Sequence, residues 1–275
     1  MASQVAFVLG GGGNLGAYEV GMLRALVERG ITPDLVVGTS IGAINGASIA
    51  ADPSAEGVDR LEEVWTNLDK TEVFASSLLS QAANLVRTKT HLHSNRPLRK
   101  LLTATLPADF SSLQIPFQCV AASIERAAEH WFSDGPLVDA ILASCAIPGI
   151  LPPVKIGDEH FIDGGTVNSI PIGHAVELGA KVVYVLHVGR IERPLSKPRN
   201  IWEAAMVAFE VARRHRVARD LTRLPEGTVA HVLPTGETEK WNDPKQLRYR
   251  NFGAAPGRIR QAYEASSAYL ESQAG

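Results

Sequence analysis

The stretch Gly38-Thr39-Ser40-Ile41-Gly42 constrains this chain more than any other. Three apolar residues, Leu35-Val36-Val37, lead into it, and the small-residue run Ile41 to Ala51 leads out. A short apolar strand, a Gly-X-Ser-X-Gly turn and a helix form the pattern of a nucleophile elbow. The turn is tight, so the residues two before and two after the serine must be small, or strand and helix collide. The serine hydroxyl is then exposed at the sheet edge, and the helix N-terminus aims its free N–H groups at the site. The pentapeptide also arises by chance. The strand–turn–helix context is what makes Ser40 a candidate nucleophile.

The residues before the elbow extend the same architecture. Val5 to Leu9 is a continuous apolar run, as in a strand buried on both faces, and Gly10-Gly11-Gly12-Gly13 follows at once. Asn14 to Arg29 reads as a helix with Ala17, Val20, Leu23 and Val27 on one face, and Gly30 is placed to stop it. Ile31-Thr32-Pro33-Asp34 turns the chain into the elbow strand. The order β–loop–α–β–elbow–α is the start of a parallel sheet, in which consecutive βαβ strands are neighbours.

The rest of the chain completes an α/β pattern. Val58, Leu61, Val64, Trp65 and Leu68 have helical spacing, and Asn95 to Leu102 starts another helix. Between them, Thr71 to Arg87 is apolar-rich with little charge, a composition suited to covering an active-site mouth. Pro116 to Ala122 and Glu129 to Phe132 read as strands, and Leu137 to Ser144 as a helix. Gly157-Asp158 marks the turn of a hairpin from Pro152–Ile156 into His160–Asp163. Lys181 to His187 and Val229 to Leu233 are late strands. Trp202 to Leu224 and Pro256 to Ser272 are late helices, and Gly189 to Asn200 is an irregular loop. With no repeat, linker or low-complexity tract, the expectation is a single domain over residues 1–275. Its fold class is a three-layer α/β/α architecture with a central, mostly parallel sheet.

Bulk properties narrow the function. A formal charge of −2 gives no global field toward nucleic acid. Cys119 and Cys145 form neither a disulfide framework nor a metal spacing, so no metal or other cofactor is expected. Met1 to Gln4 has no basic n-region, and Leu35 to Ala51 falls short of the about 20 apolar residues of a membrane span. A cytoplasmic protein is expected, touching a membrane only peripherally.

Two chemistries compete for the glycine loop. Its backbone N–H groups, unshielded by side chains, suit an oxyanion hole beside Ser40. Gly11-X-Gly13-X-X-Gly16 after a strand also matches a dinucleotide fingerprint, with Asp34 as the acid. That acid belongs at the end of the second strand, whereas Asp34 precedes Leu35-Val36-Val37. For a base, none of His130, His160, His174, His187 and His231 stands in a distinguishing loop motif. Asp163 ends a strand and is followed by Gly164-Gly165, although Asp-Gly is also an ordinary turn dipeptide. The basic stretch Arg213-Arg214-His215-Arg216, with Arg219 and Arg223, reads as a solvated helix face or as a patch for anionic headgroups; the solvated face is the simpler reading.

Gly11 to Gly16, Gly38 to Gly42 and Asp163-Gly164-Gly165, in this order, resemble the three signature blocks of patatin-like phospholipases. Ala143 to Pro148, running into Leu151 to Val154, resembles the segment before the family's aspartate block. The resemblance covers about residues 5–188. It implies a serine acyl hydrolase cleaving a lipid or lipid-like ester, with Ser40 as nucleophile and Asp163 as the only protein base. It also implies an oxyanion hole from the Gly11, Gly12 and Gly13 amides, helped by the Ile41 N–H. Leu15 stands where the family usually carries Arg or Lys, which removes a cation from the loop. That departure leaves a catalytically weak interaction protein as a further alternative beside the dinucleotide reading. The dyad also poses a chemical problem, because an ordinary aspartate, with a pKa near ~4, is a weak base for a hydroxyl.

Overall fold

The glycine-punctuated apolar runs at the start of the chain form the middle of the sheet. The structure, a computed structural model, describes residues 4–68, 90–188, 194–199, 201–236 and 252–274. The first half contains β1 (Val5–Leu9), α1 (Ala17–Val27), β2 (Leu35–Thr39), α2 (Ile41–Ala51), α3 (Ala55–Asn67), α4 (Arg96–Thr105), β3 (Phe117–Ser123) and β4 (Ala128–Phe132). The second contains α5 (Leu137–Ser144), β5 (Val154–Ile156), β6 (Glu159–Asp163), α6 (Ile172–Glu177), β7 (Val182–Leu186), α7 (Ile201–Thr222), β8 (Val229–Val232) and α8 (Ala255–Ala274). The Thr71–Arg87 segment lies outside the described residues.

The eight described strands form one sheet, with hydrogen-bonded neighbours in the order β5-β6-β3-β2-β1-β7-β8 and β4 on β3. The pairs β3–β2, β2–β1, β1–β7 and β7–β8 are parallel. The pairs β3–β4, β3–β6 and β5–β6 are antiparallel. The sheet is therefore mixed and mostly parallel, with helices on both faces. This also explains why β1 and β2 read as unbroken apolar runs. Phe7, Leu9 and Val36 enter one core with α1, α2, α3, α5 and α8. Ala6, Val8, Leu35 and Val37 enter the other with α6 and α7.

Local chemistry sets the element ends. Ser54 caps α3 by accepting the Gly57 N–H at 3.1 Å, and Val58, Leu61 and Trp65 form its buried stripe. The predicted hairpin forms with Ile156 opposite Glu159 and Gly157 at φ 60°. The helix expected from Asn14 starts later. Gly13 sits at φ 58° and Gly13–Gly16 form a 3₁₀ turn, because glycine here favours the left-handed turn over helix. Among the described residues, no helix is long and apolar enough to cross a membrane.

Candidate active site

Strand ends bring the site together. β4 bonds β3 from Cys119 to Ser123, β2 bonds it from Phe117 to Val120, and β6 from Ala121 to Ser123. A strand has two edges, and the β4 register overlaps both others. β2 and β6 therefore share the opposite edge of β3, end to end. β2 runs parallel and stops with Thr39 at Val120, while β6 runs antiparallel and stops with Asp163 at Ala121. The residue after one strand thus faces the last residue of the other. Ser40 Oγ donates to Asp163 Oδ2 at 2.6 Å. Ser40 is 6% and Asp163 7% exposed, so the bond is shielded from bulk water.

Ser40 has the backbone an elbow requires, φ 55° and ψ −122°. A non-glycine residue there stores on the order of 1–3 kcal/mol of strain. The flanking glycines make the turn sterically possible. A Cβ on Gly38 would lie 2.5 Å from the Gly42 carbonyl oxygen, and one on Gly42 would lie 2.4 Å from the Leu9 carbonyl oxygen. The elbow is held from the end of α5. Ser40 donates its N–H to Ser144 Oγ at 2.9 Å, and the Cys145 thiol donates to the Ser40 carbonyl at 3.1 Å.

Asp163 is aimed by backbone. Its N–H donates to the Ala146 carbonyl at 3.0 Å, and its Oδ1 accepts the Gly165 N–H at 2.7 Å, leaving Oδ2 for Ser40. Burial raises the carboxyl from its ordinary value to about 6, against the lowering effect of the Ser40 and Gly165 hydrogen bonds. The same burial keeps the Cys145 thiol well above its usual range.

The glycine loop lies beside the serine, since a Cβ on Gly11 would stand 3.5 Å from Ser40 Cβ. One amide expected in the oxyanion hole is already committed. Gly11 donates its N–H to the Ser169 carbonyl at 2.9 Å, which ties the loop to the segment after Asp163. Among the described residues, the Gly12 and Gly13 amides have no acceptor. The Ile41 N–H heads α2, where no carbonyl one turn earlier can take it. Leu15 packs half-buried against the core, but a cation reaches this turn from α8, where Arg258 donates to the Asn14 carbonyl at 3.1 Å.

Beneath the loop lies a polar strut that no sequence motif marks. Asn45 of α2 donates to the Gly16 carbonyl at 3.0 Å and to Glu19 Oε2 at 2.7 Å, and its Oδ1 accepts the Trp65 indole N–H at 2.9 Å. Complete burial pushes the Glu19 carboxyl well above the usual carboxylate range. The polar residues inside the small-residue helix and its neighbour were the available signal. In the sequence Ser144 and Cys145 belong only to the segment before the aspartate block, and no local signal marks their hydrogen bonds to Ser40.

Several sequence alternatives land elsewhere. Among the described residues, no histidine bonds Ser40. His160 pairs with Glu125, His174 stacks on Trp131, His231 meets Tyr269, and His130 meets Arg126. His187 comes nearest to the loop, its Nδ1 3.6 Å from where a Gly10 Cβ would stand, and is kept neutral first by burial and then by Arg213 and Arg214. Asp34 accepts the Val5 N–H at 2.8 Å. That places it at the end of β1 and β2 opposite the glycine loop, out of reach of a ribose beside the loop. The solvated arginine face is corrected at three positions, while His215, Arg219 and Arg223 remain exposed. Arg213 and Arg214 are largely buried on Glu210, and Arg216 bonds Glu129 and the Val167 carbonyl. Charges this deep in a packed helix need partners, and here each has one.

Comparison with known proteins places the chain in a family. The sequence profile described as Patatin-like phospholipase matches residues 7–176. The chain is 33% identical over 188 residues to Patatin-like phospholipase domain-containing protein 7 of Rattus norvegicus, covering 67% of this chain and 14% of that protein. It is 31% identical over 189 residues to Lysophospholipase nte1 of Aspergillus terreus, covering 68% of this chain and 12% of that protein. The chain thus spans only a small part of these relatives' length. The crystal structure of VipD from Legionella pneumophila shares the fold, with a TM-score of 0.50 at 14% identity, covering 99% of this chain and 67% of that one. With more than half its length matched by the family profile, this chain belongs to the patatin-like phospholipase family.

Proposed function

We propose that this chain hydrolyses acyl esters of lipids or lipid-like molecules through a Ser40–Asp163 dyad and an acyl-enzyme. The observation that carries the reading is the shielded 2.6 Å hydrogen bond from Ser40 Oγ to Asp163 Oδ2, on a strained elbow and beside a glycine loop. Asp163 takes the Ser40 proton as Oγ attacks the ester carbonyl. The Gly12, Gly13 and Ile41 amides receive the oxyanion, with Gly11 serving as an anchor. The leaving alcohol takes the proton from Asp163. Water then attacks the acyl-enzyme, giving its proton to Asp163, and Ser40 regains a proton as the carboxylic acid departs. Burial that lifts Asp163 to about 6 narrows the mismatch between an aspartate and a hydroxyl, and the N-terminal dipole of α2 favours the negative charge that develops at the elbow.

Family membership supports a lipid-type substrate, as does the uncharged run Ile147 to Pro153 leading away from Ala146. In that run Ile147, Pro148, Gly149 and Pro153 are exposed. We further propose that residues 1–275 act as one acyl-hydrolase domain with a signature core at about 5–188. A single sheet from β1 to β8 and the packing of Ile259 against Gly21, α8 on α1, support this.

The test is labelling with a fluorophosphonate probe, followed by peptide mapping and by hydrolysis of p-nitrophenyl butyrate and a lysophospholipid. Labelling confined to Ser40 and lost in Ser40→Ala is expected. An unlabelled Ser40, with hydrolysis surviving the substitution, overturns the reading. Asp163 must be ionised to accept a proton. The rate of ester hydrolysis is therefore expected to rise with pH through about 6 and to fall away below it.

A further inference from the structure

We infer that the three successive residues Ser144, Cys145 and Ala146, at the C-terminal end of α5, form a bracket that sets the spacing of Ser40 and Asp163, with Ser144 as its principal positioning residue. The inference rests on the reading of Ser40 and Asp163 as nucleophile and base.

The bracket answers a problem created by the topology. Ladder hydrogen bonds run sideways between strands, and β2 and β6 meet end to end along β3. No ladder bond can span the junction between Thr39 and Asp163, so the sheet alone leaves that gap adjustable. The end of α5 crosses it. Ser144 Oγ accepts the Ser40 N–H at 2.9 Å, the Cys145 thiol donates to the Ser40 carbonyl at 3.1 Å, and the Ala146 carbonyl accepts the Asp163 N–H at 3.0 Å. One short segment thus holds both halves of the dyad.

The bracket is itself immobilised. Leu137, Ile141, Ala143 and Ser144 are fully buried, and Cys145 and Ala146 are nearly so. Ser40 also needs this support, because it lies between the end of β2 and the start of α2, outside both the ladder and the helix. Among the described residues, Ser144 Oγ is the acceptor recorded for that N–H. The Ser40 carbonyl, by contrast, has a second partner in the Ala43 N–H at 2.9 Å, so loss of Cys145 is better tolerated than loss of Ser144.

Ser144→Ala removes the acceptor and lets the elbow relax. Small misplacements of a nucleophile are costly, so kcat per fluorophosphonate-titrated site is expected to fall about tenfold to a hundredfold, with KM for p-nitrophenyl butyrate little changed. The acid limb of the pH profile is expected to move above about 6, because the Ser40 hydrogen bond that holds Asp163 down is weakened. Ser144→Thr, which keeps an Oγ, restores both. Cys145→Ala shifts kcat in the same direction by a smaller factor, and it carries the test should Ser144→Ala fail to fold. A wild-type kcat per titrated site and an unmoved acid limb in Ser144→Ala overturn the inference. So does a loss that lies wholly in the number of titratable sites. If wild-type Ser40 is itself unlabelled, the dyad reading fails first and the bracket falls with it.

Discussion

The two strand ends that meet on β3 solve opposite problems. β2 delivers Ser40 on a strained backbone, with glycines two residues to either side and partners supplied by Ser144 and Cys145 side chains. β6 delivers Asp163 with φ −47° and ψ 128°, its carboxylate aimed by the Gly165 amide and its N–H held by Ala146. The serine end stores strain to present a buried hydroxyl to Asp163. The aspartate end stores electrostatic cost, a carboxylate withdrawn from water. The two ends should therefore fail differently when altered.

The largest effect is expected on chemistry, where the ends should look alike. Ser40→Ala and Asp163→Asn should each lower kcat/KM for p-nitrophenyl butyrate by about ten-thousandfold or more, as for other groups that act as a unit. An activity within tenfold of wild type in either removes that residue from the mechanism. Next comes the elbow itself. Gly42→Ala puts a methyl 2.4 Å from the Leu9 carbonyl oxygen, backbone that cannot step aside. A loss of about 3 kcal/mol or more in urea unfolding is expected, and a wild-type midpoint would show that the elbow is less crowded than described.

Stability should then separate the two ends by sign. A buried aspartate raised to about 6 favours the protonated fold, so its stabilising contribution is complete below about 4 and is lost as pH rises through about 6. At pH 8 Asp163 is ionised, at a cost of up to about 3 kcal/mol. Asp163→Asn should therefore raise the melting temperature at pH 8. Ser40→Ala leaves that carboxylate short of a donor and should lower the melting temperature, for a stability loss of about 1–3 kcal/mol. Melting shifts of the same sign at pH 8 would break the contrast. The smallest effect belongs to the far end of β6, where Arg126 pairs with Glu159 in a half-exposed setting. Arg126→Ala should leave the urea midpoint and kcat at wild-type values.

Much of the serine end was legible because its logic is local. The strand, the two clearance glycines and the helix lie within Leu35 to Ala51, and β1 with its loop is one βα unit away. The boundaries of α5 and the β5–β6 hairpin were also readable, from an apolar run stopped before a proline and from Gly157-Asp158. The misread parts depend on contacts between distant segments. Arg213 and Arg214 look like a surface face until Glu210 and the packing of α7 enclose them. Gly11 looks like a free donor until the loop after Asp163 brings the Ser169 carbonyl to it.

By itself, then, the sequence determined a parallel βα beginning, a serine on an elbow, a glycine loop beside it and an aspartate ending a hairpin strand. Each follows from spacing and backbone sterics within some tens of residues. Only the tertiary structure decided that Ser40 and Asp163, 123 residues apart, share a hydrogen bond. That depends on β6 running antiparallel and stopping at Ala121 while β2 stops at Val120. Register between remote strands is set by the packing of the whole sheet, and no local pattern encodes it.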